Sequence, residues 1–546
     1  MTVESDFSPS PGEPADRDDG GMSQQAQLGS AAPDEPGAPM STLVRRRWAV
    51  LAILCTSLLL VSIDATVLHM ALPALSADLH PTATEQLWII AIYSLLAAPL
   101  LLAFGTLGDY FGRRRILVIG YVVFGLASLA VAFAPNVPVL IASRALLGAG
   151  GAMIMPATLS ILRQAFPDRD ERRTAIGVWS GIAGSGAVLG PLLGGFLVET
   201  FSWHAAFLIN VPVMVVALPL TYWLIPESSD PPGERWDLTS AVLAAIGVLG
   251  VAFAIKQTSH GGIMYVAGPV AGVLGLAVLV AFVRRQRRLR VPLLDVSLFR
   301  RRTFSVAVAS VLLVMISLVG LGLLFAQYLQ LVLALEPMAA ALRLLFVMVA
   351  AVAGSLLAGP LLRRFDNRAV TVWGFALVAA ALGAAALWLT TVENLWLLGP
   401  VLVAVGAGVS VALTAASDAL LASAPAEQAG AASAVEETAY ELGAGLGVAV
   451  LGSVAAGVYA ATLPTLPAPG VPEEALRQAQ LGLTEATGAA SHLGGQAAQT
   501  LLTVARDSFV EGLSFALAAG FCAFVIAAIA AAKLMPRSGG VPHDHA

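Results

Sequence analysis

Residues 86–134 read QLWIIAIYSLLAAPLLLAFGTLGDYFGRRRILVIGYVVFGLASLAVAFA. Two apolar runs flank the polar break Gly108-Asp109-Tyr110-Phe111-Gly112-Arg113-Arg114-Arg115. A helix needs about 20 apolar residues to cross roughly 30 Å of hydrocarbon, and each run meets that length. The pattern predicts a helical hairpin through a bilayer, its turn marked by glycine and three arginines. Helices fit better than strands, because a barrel shows alternating segments of about ten residues.

The same pattern recurs outward in both directions. Apolar stretches fall at 49–72, 86–107, 116–134, 138–163, 173–199, 204–225, 238–256, 264–283, 304–333, 339–361, 369–389, 396–421, 430–460 and 511–535. Fourteen transmembrane helices and an all-α membrane protein follow. Of the 546 residues, 58% are hydrophobic and 12% charged, against about 25% charged in soluble domains. Soluble enzymes, nucleic-acid binders and disordered scaffolds are thereby excluded. Residues 1–44, rich in Asp, Glu, Pro, Gly and Ser, read as a disordered cytoplasmic tail, and 538–546 as a second tail. Cys55 and Cys522 lie in apolar runs near opposite ends of the chain; they offer neither a disulfide framework nor metal-ligand spacing and read as buried small side chains. No metal or cofactor is called for, and His543-Asp544-His545 reads as a solvated end.

Arginines set the orientation. They gather at Arg45–Arg47, Arg113–Arg115, Arg163–Arg173, Arg235, Arg284–Arg302 and Arg363–Arg368, with Lys533 and Arg537 closing the chain. With fourteen spans all of these share one side, which the positive-inside rule makes cytoplasmic. Both termini are then cytoplasmic, in a multi-pass protein of the cytoplasmic (inner) membrane. The other side holds little beyond Lys256, Arg343, Arg477 and Arg506. The long loop at about 461–510 falls outside, with a short helix expected from Pro472-Glu473-Glu474.

Two parts of the chain echo each other. Gly105 and Phe111 match Gly359 and Phe365 at an offset of 254; Gly148-Ala149-Gly150 matches Gly406-Ala407-Gly408 at 258; Gly186 and Gly190 match Gly443 and Gly447 at 257. Duplicated helical halves are a transporter architecture, with the substrate site at their interface near mid-membrane. The division that follows is an N-terminal six-helix bundle at 45–228, two inserted helices at 229–290, and a C-terminal six-helix bundle at 291–537.

The chemistry lies in a few acids. Asp64 sits inside span 1, where a carboxylate costs about 2.5–3.5 kcal/mol on insertion scales. Facing a wet cavity, finding a partner or binding a proton would answer that cost, and desolvation favours the neutral form of a carboxyl. In span 13, Glu437 and Glu441 share a helix face, and Glu436 shares one with Tyr440. Acids this close resist ionising together, which suits exchange of a proton for a cation. Arg144 is the basic residue deep in the first half, either a coupling group or one side of a structural ion pair. His69 lies about 140° round the helix from Asp64 and shares no face with it. Trp88, Tyr93, Trp179, Phe325 and Tyr328 are aromatic candidates for stacking on flat cations.

These motifs together resemble the major facilitator superfamily, and within it the fourteen-helix drug:proton antiporters, above all exporters of quaternary ammonium compounds. The resemblance rests on Gly105 to Arg115, on Leu140 to Gly148 around Arg144, on Gly186 to Gly195, on Ile63-Asp64-Ala65-Thr66 with Ala71-Leu72-Pro73, on Leu294 to Phe299, and on Ala434 to Thr438. It implies a major facilitator fold of two six-helix bundles plus two inserted helices. The implied activity is proton-coupled efflux of lipophilic cationic drugs, with protons and membrane lipids as the other partners and the protein working as a monomer. Asp64, Arg144, Glu437 and Glu441 would then couple protons, and Asp64, Glu436, Glu437, Tyr440 and Glu441 would bind substrate. Gly105, Asp109, Gly112, Arg113 and Arg114 would form a conformational latch between moving halves. Gly186, Gly190, Pro191, Gly194 and Gly195 are the antiporter motif, expected to pack span 5 against a second-half helix. Those exporters carry an acid near Ala91, and some carry one in span 10; its absence here points to monovalent cations. An exporter of one natural product, a proton-linked importer, and a membrane enzyme or sensor are the alternative readings.

Overall fold

The computed structural model describes residues 46–229, 237–257, 264–290, 292–388, 395–425, 428–466 and 468–535. The expected N-terminal tail, Arg45, Arg235, Arg537 and the C-terminal tail lie outside them. Thirteen helices are long and apolar enough to cross a bilayer, and two arms of one bent helix make a fourteenth. In chain order they are α1 (Arg47–Leu79), α2 (Ala83–Phe111), α3 (Arg113–Ala132), α4 (Val137–Ala165), α5 (Arg169–Thr200) and α6 (Ala205–Leu224). The insert supplies α7 (Leu238–Gln257) and α8 (Met264–Gln286). The second set is α9 (Arg302–Gln327), α10 (Pro337–Arg364), α11 (Asn367–Trp388), α12 (Leu395–Ser423) and α13 (Ala429–Thr462), then two short helices, α14 (Glu473–Ala479) and α15 (Leu483–Ser491), and α16 (Gly495–Leu534). No strand occurs among the described residues.

The bend in α5 falls between Gly186 and Val188. Pro191 lacks the N–H that would bond the carbonyl of Ala187, and its ring crowds that same group. α16 begins near residue 495 rather than near 511 as the apolar run suggested. Leu501, Val504, Ala505 and Ser508 are buried in its extra turns, at helical spacing, so an amphipathic face carries the helix outward against α15. The loop before it is correspondingly shorter, and the helix expected from Pro472 is α14, with Glu473 and Glu474 in its first turn. Cys55 is buried, but Cys522 is exposed on α16, a correction to its expected burial.

α1–α6 surround one hydrophobic core and α9–α13 with α16 surround another. The duplication is visible in how helices touch. At Gly148 a methyl group would overlap the Tyr93 carbonyl of α2; at Gly406 it would overlap the Val347 carbonyl of α10. A side chain at Gly150 would run into the Phe124 backbone, and one at Gly408 into Val378 Cγ2. Gly186 of α5 lies on Ser62 of α1, and Gly443 of α13 lies on Met315 of α9, where an added Cβ would collide. The same small-residue seam is used twice, because bare backbone is what lets transmembrane helices approach.

The halves meet along α2 with α13 and α5 with α10. Leu95 fills the gap left by Gly445, and Leu87 that left by Gly452, so α2 and α13 run antiparallel. α7 leans on both of these helices. Its Lys256, expected in a loop, is instead 1% exposed. The amine donates to the Leu87 carbonyl at 2.6 Å and lies 4.1 Å from the Trp88 ring. The long apolar stem is what permits that burial.

Gly148→Ala should lose about 1–3 kcal/mol through overpacking against α2. Gly184→Ala meets nothing within 4 Å and should hold or gain up to about 1 kcal/mol from helix propensity. Thermal unfolding of both variants in the same detergent checks the contrast.

Candidate functional site

Asp64 occupies the middle of α1 and is fully enclosed, as is Arg144 of α4. Arg144 Nη1 donates to Asp64 Oδ2 at 2.6 Å, and its Nε donates to the Ile89 carbonyl at 3.3 Å. The guanidinium is stacked 4.9 Å from the Tyr93 ring and 5.8 Å from Phe207. Asp64 Oδ1 accepts from Asn210 Nδ2 at 3.1 Å, and that amide also donates to Ser128 Oγ at 3.0 Å. Of the three expected answers to a buried carboxylate, the structure shows the partner. Both oxygens are engaged and neither is open to a ligand in this conformation. Asn210 went unremarked in the sequence, although a lone amide inside the apolar run of α6 is the available signal.

The acids of α13 are placed differently. Glu436, Glu437, Tyr440 and Glu441 all lie within the helix rather than in the loop before it. Each is deep in the protein yet keeps part of its surface accessible, as groups lining an internal cavity do. No ion pair holds the three glutamates among the described residues, and Glu441 Oε2 has no hydrogen-bond partner. Ser94 of α2 faces Glu441, and Ser417 of α12 faces Glu436 and Tyr440. Tyr93 stands between the two centres, with its ring on Arg144 and its hydroxyl within electrostatic range of both Asp64 and Glu441.

The aromatic candidates do not form one pocket. Trp88 is taken by Lys256, Trp179 donates its Nε1 to Thr158 Oγ1, and Phe325 and Tyr328 are buried in the second core. His69 is buried with Nε2 unpartnered, its Nδ1 near the space over Gly322 of α9.

The arginine turn works within the first half. Arg113 clasps Asp109 through Nε at 2.9 Å and Nη2 at 2.7 Å. Arg114 N and the carbonyls of Tyr222 and Ile225 tie the turn to the end of α6, with Glu227 as receiver of the Arg114 N–H at 3.1 Å. A Cβ at Gly112, whose φ is 113°, would collide with that carboxylate. Every ion pair that this turn forms among the described residues lies within the first half, Arg113 with Asp109 and Arg114 and Arg115 with Glu227. Glu227, two residues past the last apolar position of span 6, was not singled out. The antiporter glycines are also redistributed. Gly186, Gly190 and Gly194 lie on α1, and Thr66 Oγ1 donates to the Gly186 carbonyl at 3.3 Å. Gly195 alone of the four faces the second half, where an added Cβ would meet Met338 Cα of α10, since the next residue along a helix points about 100° away.

Residues 54–448 match the family model described as Major Facilitator Superfamily. The chain is 39% identical over 479 residues to the multidrug efflux pump LfrA of Mycolicibacterium smegmatis, covering 88% of this chain and 94% of that one. It is 38% identical over 484 residues to the methyl viologen resistance protein SmvA of Salmonella typhimurium, covering 89% and 97%. The tetracenomycin C resistance and export protein of Streptomyces glaucescens is 31% identical over 522 residues, covering 91% and 94%. Among solved structures, an inward-facing, unoccupied bacterial homologue of the human lysosomal transporter Spinster shares the fold at TM-score 0.64 and 17% identity, over 90% of this chain and 98% of that one.

Removing one member of a buried ion pair strands the other charge, at about 3–5 kcal/mol. Arg144→Met should therefore unfold far more easily than the wild type in detergent, and adding Asp64→Asn should restore a large part of the loss. Additive losses in this double-mutant cycle would show that the pair is not energetically coupled.

Proposed function

The chain belongs to the major facilitator superfamily, a family of transporters, and we propose that it is a multidrug exporter exchanging protons for lipophilic cations. One observation carries this reading. Three glutamates and a tyrosine on α13 lie deep and partly accessible, with no cationic partner among the described residues. Such a site keeps room for one positive charge at a time, a bound proton or a cationic passenger. The names of the relatives, a multidrug efflux pump and a methyl viologen resistance protein, support export of drugs.

In the proposed cycle, Glu437 and Glu441 take the passenger's charge and Tyr440 offers it a ring face. Protonation of the acids releases the passenger. Asp64 is the second coupling group: protonating it neutralises its side of the Arg144 pair, and Tyr93 passes that change to α13. Residues 45–228 and 291–537 act as the two moving bodies, with 229–290 an insert. The arginine-bearing end is cytoplasmic, in the inner membrane, and the monomer is the working unit. One proton for one monovalent cation moves no net charge, so the pH gradient drives the exchange. A second proton adds about 2.3 kcal/mol per 100 mV.

Efflux of a fluorescent cation from cells should stop when an uncoupler is added. Asp64→Asn, which leaves Arg144 unpaired, should abolish that efflux per molecule of folded protein in reconstituted vesicles, and normal efflux per folded molecule removes Asp64 from the mechanism. Glu437→Gln and Glu441→Gln should each weaken cationic passengers at least tenfold more than neutral ones in a transport panel. Equal losses on both classes contradict recognition of charge.

A further inference from the structure

The segment between α13 and α16 is a structured cap. α14 and α15 pack against each other and on α16, and α15 reaches α1. Tyr459 Oη of α13 donates to the Ala479 carbonyl at 2.7 Å, which fixes the cap to the second half. The cap also holds the first half. Ala83 N, in the first turn of α2, donates to the Leu481 carbonyl at 3.3 Å, and Gln86 Nε2 donates to Glu485 Oε1 at 3.1 Å. Gln86 is buried, and Glu485 Oε2 is enclosed without a hydrogen-bond partner. Gly482 is part of this enclosure, since a side chain there would collide with Glu485 Oε2. The next residue of α2, Leu87, closes on Gly452 of α13. The cap therefore bridges α2 and α13 at the end where the two halves touch, opposite the arginines.

We propose that Glu485 is a proton-operated clasp: protonated, it holds the cap on α2 and keeps this end shut, and ionised, it lets the cap leave Gln86 so that the end opens. The proposal concerns a site apart from the α13 acids and uses the transport reading only to place this end outside the cell.

An ionised carboxylate would leave Oε2 charged, enclosed and without a donor, so the docked arrangement favours the neutral acid. Burial accordingly pushes the Glu485 carboxyl from 4.5 up to about 7, against the smaller downward pull of its hydrogen bonds from backbone and Gln86. The charged and titratable groups on the surrounding elements supply no counter-charge. On α2, Glu85 is held by Thr82 at 2.8 Å. Beside α1, Asp78 accepts from Trp203 Nε1, and His80 caps the helix. Arg506 of α16 donates to the Leu331 carbonyl, with Asp507 next to it. On the cap itself Arg477 pairs with Glu474, and His492 ends α15. Tyr459 faces the carboxyl from α13, its hydroxyl committed to the Ala479 carbonyl. Because the docked value is the raised one, docking is fully favoured below 4.5 and loses that advantage as pH rises through 7. The docked-to-free ratio should fall by up to about tenfold per pH unit across the window.

The test uses full-length protein in lipid nanodiscs, with no substrate and no gradient. Cys55 and Cys522 are replaced by Ala, and spin labels are placed at Thr200 and Glu474. A short distance should dominate at pH 5 and give way to a longer one by pH 8, while Glu485→Gln should keep the short distance throughout. An unchanged wild-type distribution from pH 5 to 8, or a Glu485→Gln profile that tracks the wild type, overturns the clasp. Amide exchange across residues 473–491 in the unsubstituted protein gives the same answer without any variant: protection should drop as pH rises, after correction for intrinsic rates, and constant protection refutes the idea. Neither readout depends on drug transport, so failure of the clasp and failure of the exchange reading are separate results.

Discussion

In a bilayer core no water is present to answer a polar group, so this chain must answer its own. That constraint explains the two different treatments of acid in the structure. Asp64 is answered completely, by Arg144 on one oxygen and Asn210 on the other. The α13 glutamates are left partly unanswered at a place where solvent still reaches. A fully satisfied pair rigidifies its surroundings. An unsatisfied cluster is a site that gains by binding something. The first half holds its charge and the second half exposes it, and Tyr93 is the one side chain described here that senses both.

Close helix approach is the other requirement. Glycine replaces shape complementarity between large side chains at the tightest crossings, and it does so at matching positions in both halves. Lateral packing is therefore similar within each half, whereas the polar content differs. The first half keeps the full arginine turn, with Asp109 bound by Arg113. The second carries Arg363 in that place, and no ion pair is formed by it among the described residues. The matching positions keep their close backbone approaches while the side chains around them differ.

Much of this was legible in advance. Continuous apolar runs mark membrane spans because length and hydropathy alone decide them, and the positions of thirteen runs agree with helices to a few residues. The fourteenth, α16, was misjudged at its start because amphipathic turns outside the bilayer are diluted by polar residues. Asp64 and the α13 acids stand out in the sequence since acids in apolar runs are rare. Their partners do not stand out. Nothing in the sequence links Arg144 to Asp64 or marks Asn210 as its second partner, and the burial of Lys256 depends on Leu87, 169 positions away. Which face of α5 touches α1 and which touches α10 is likewise a tertiary fact that a glycine spacing does not contain.

The attachment of α7 has a consequence for the inserted pair. Lys256 is tethered to a main-chain oxygen of α2 and covered by the neighbouring indole, whereas α7 meets α13 without any polar bond among the described residues. In the exchange cycle proposed above, this asymmetry would carry the insert with the first bundle as the α2–α13 seam parts. α7 and α8 then behave as an outrigger fixed to one hull, shielding the seam from lipid on that flank while leaving the stroke of the two bundles unhindered.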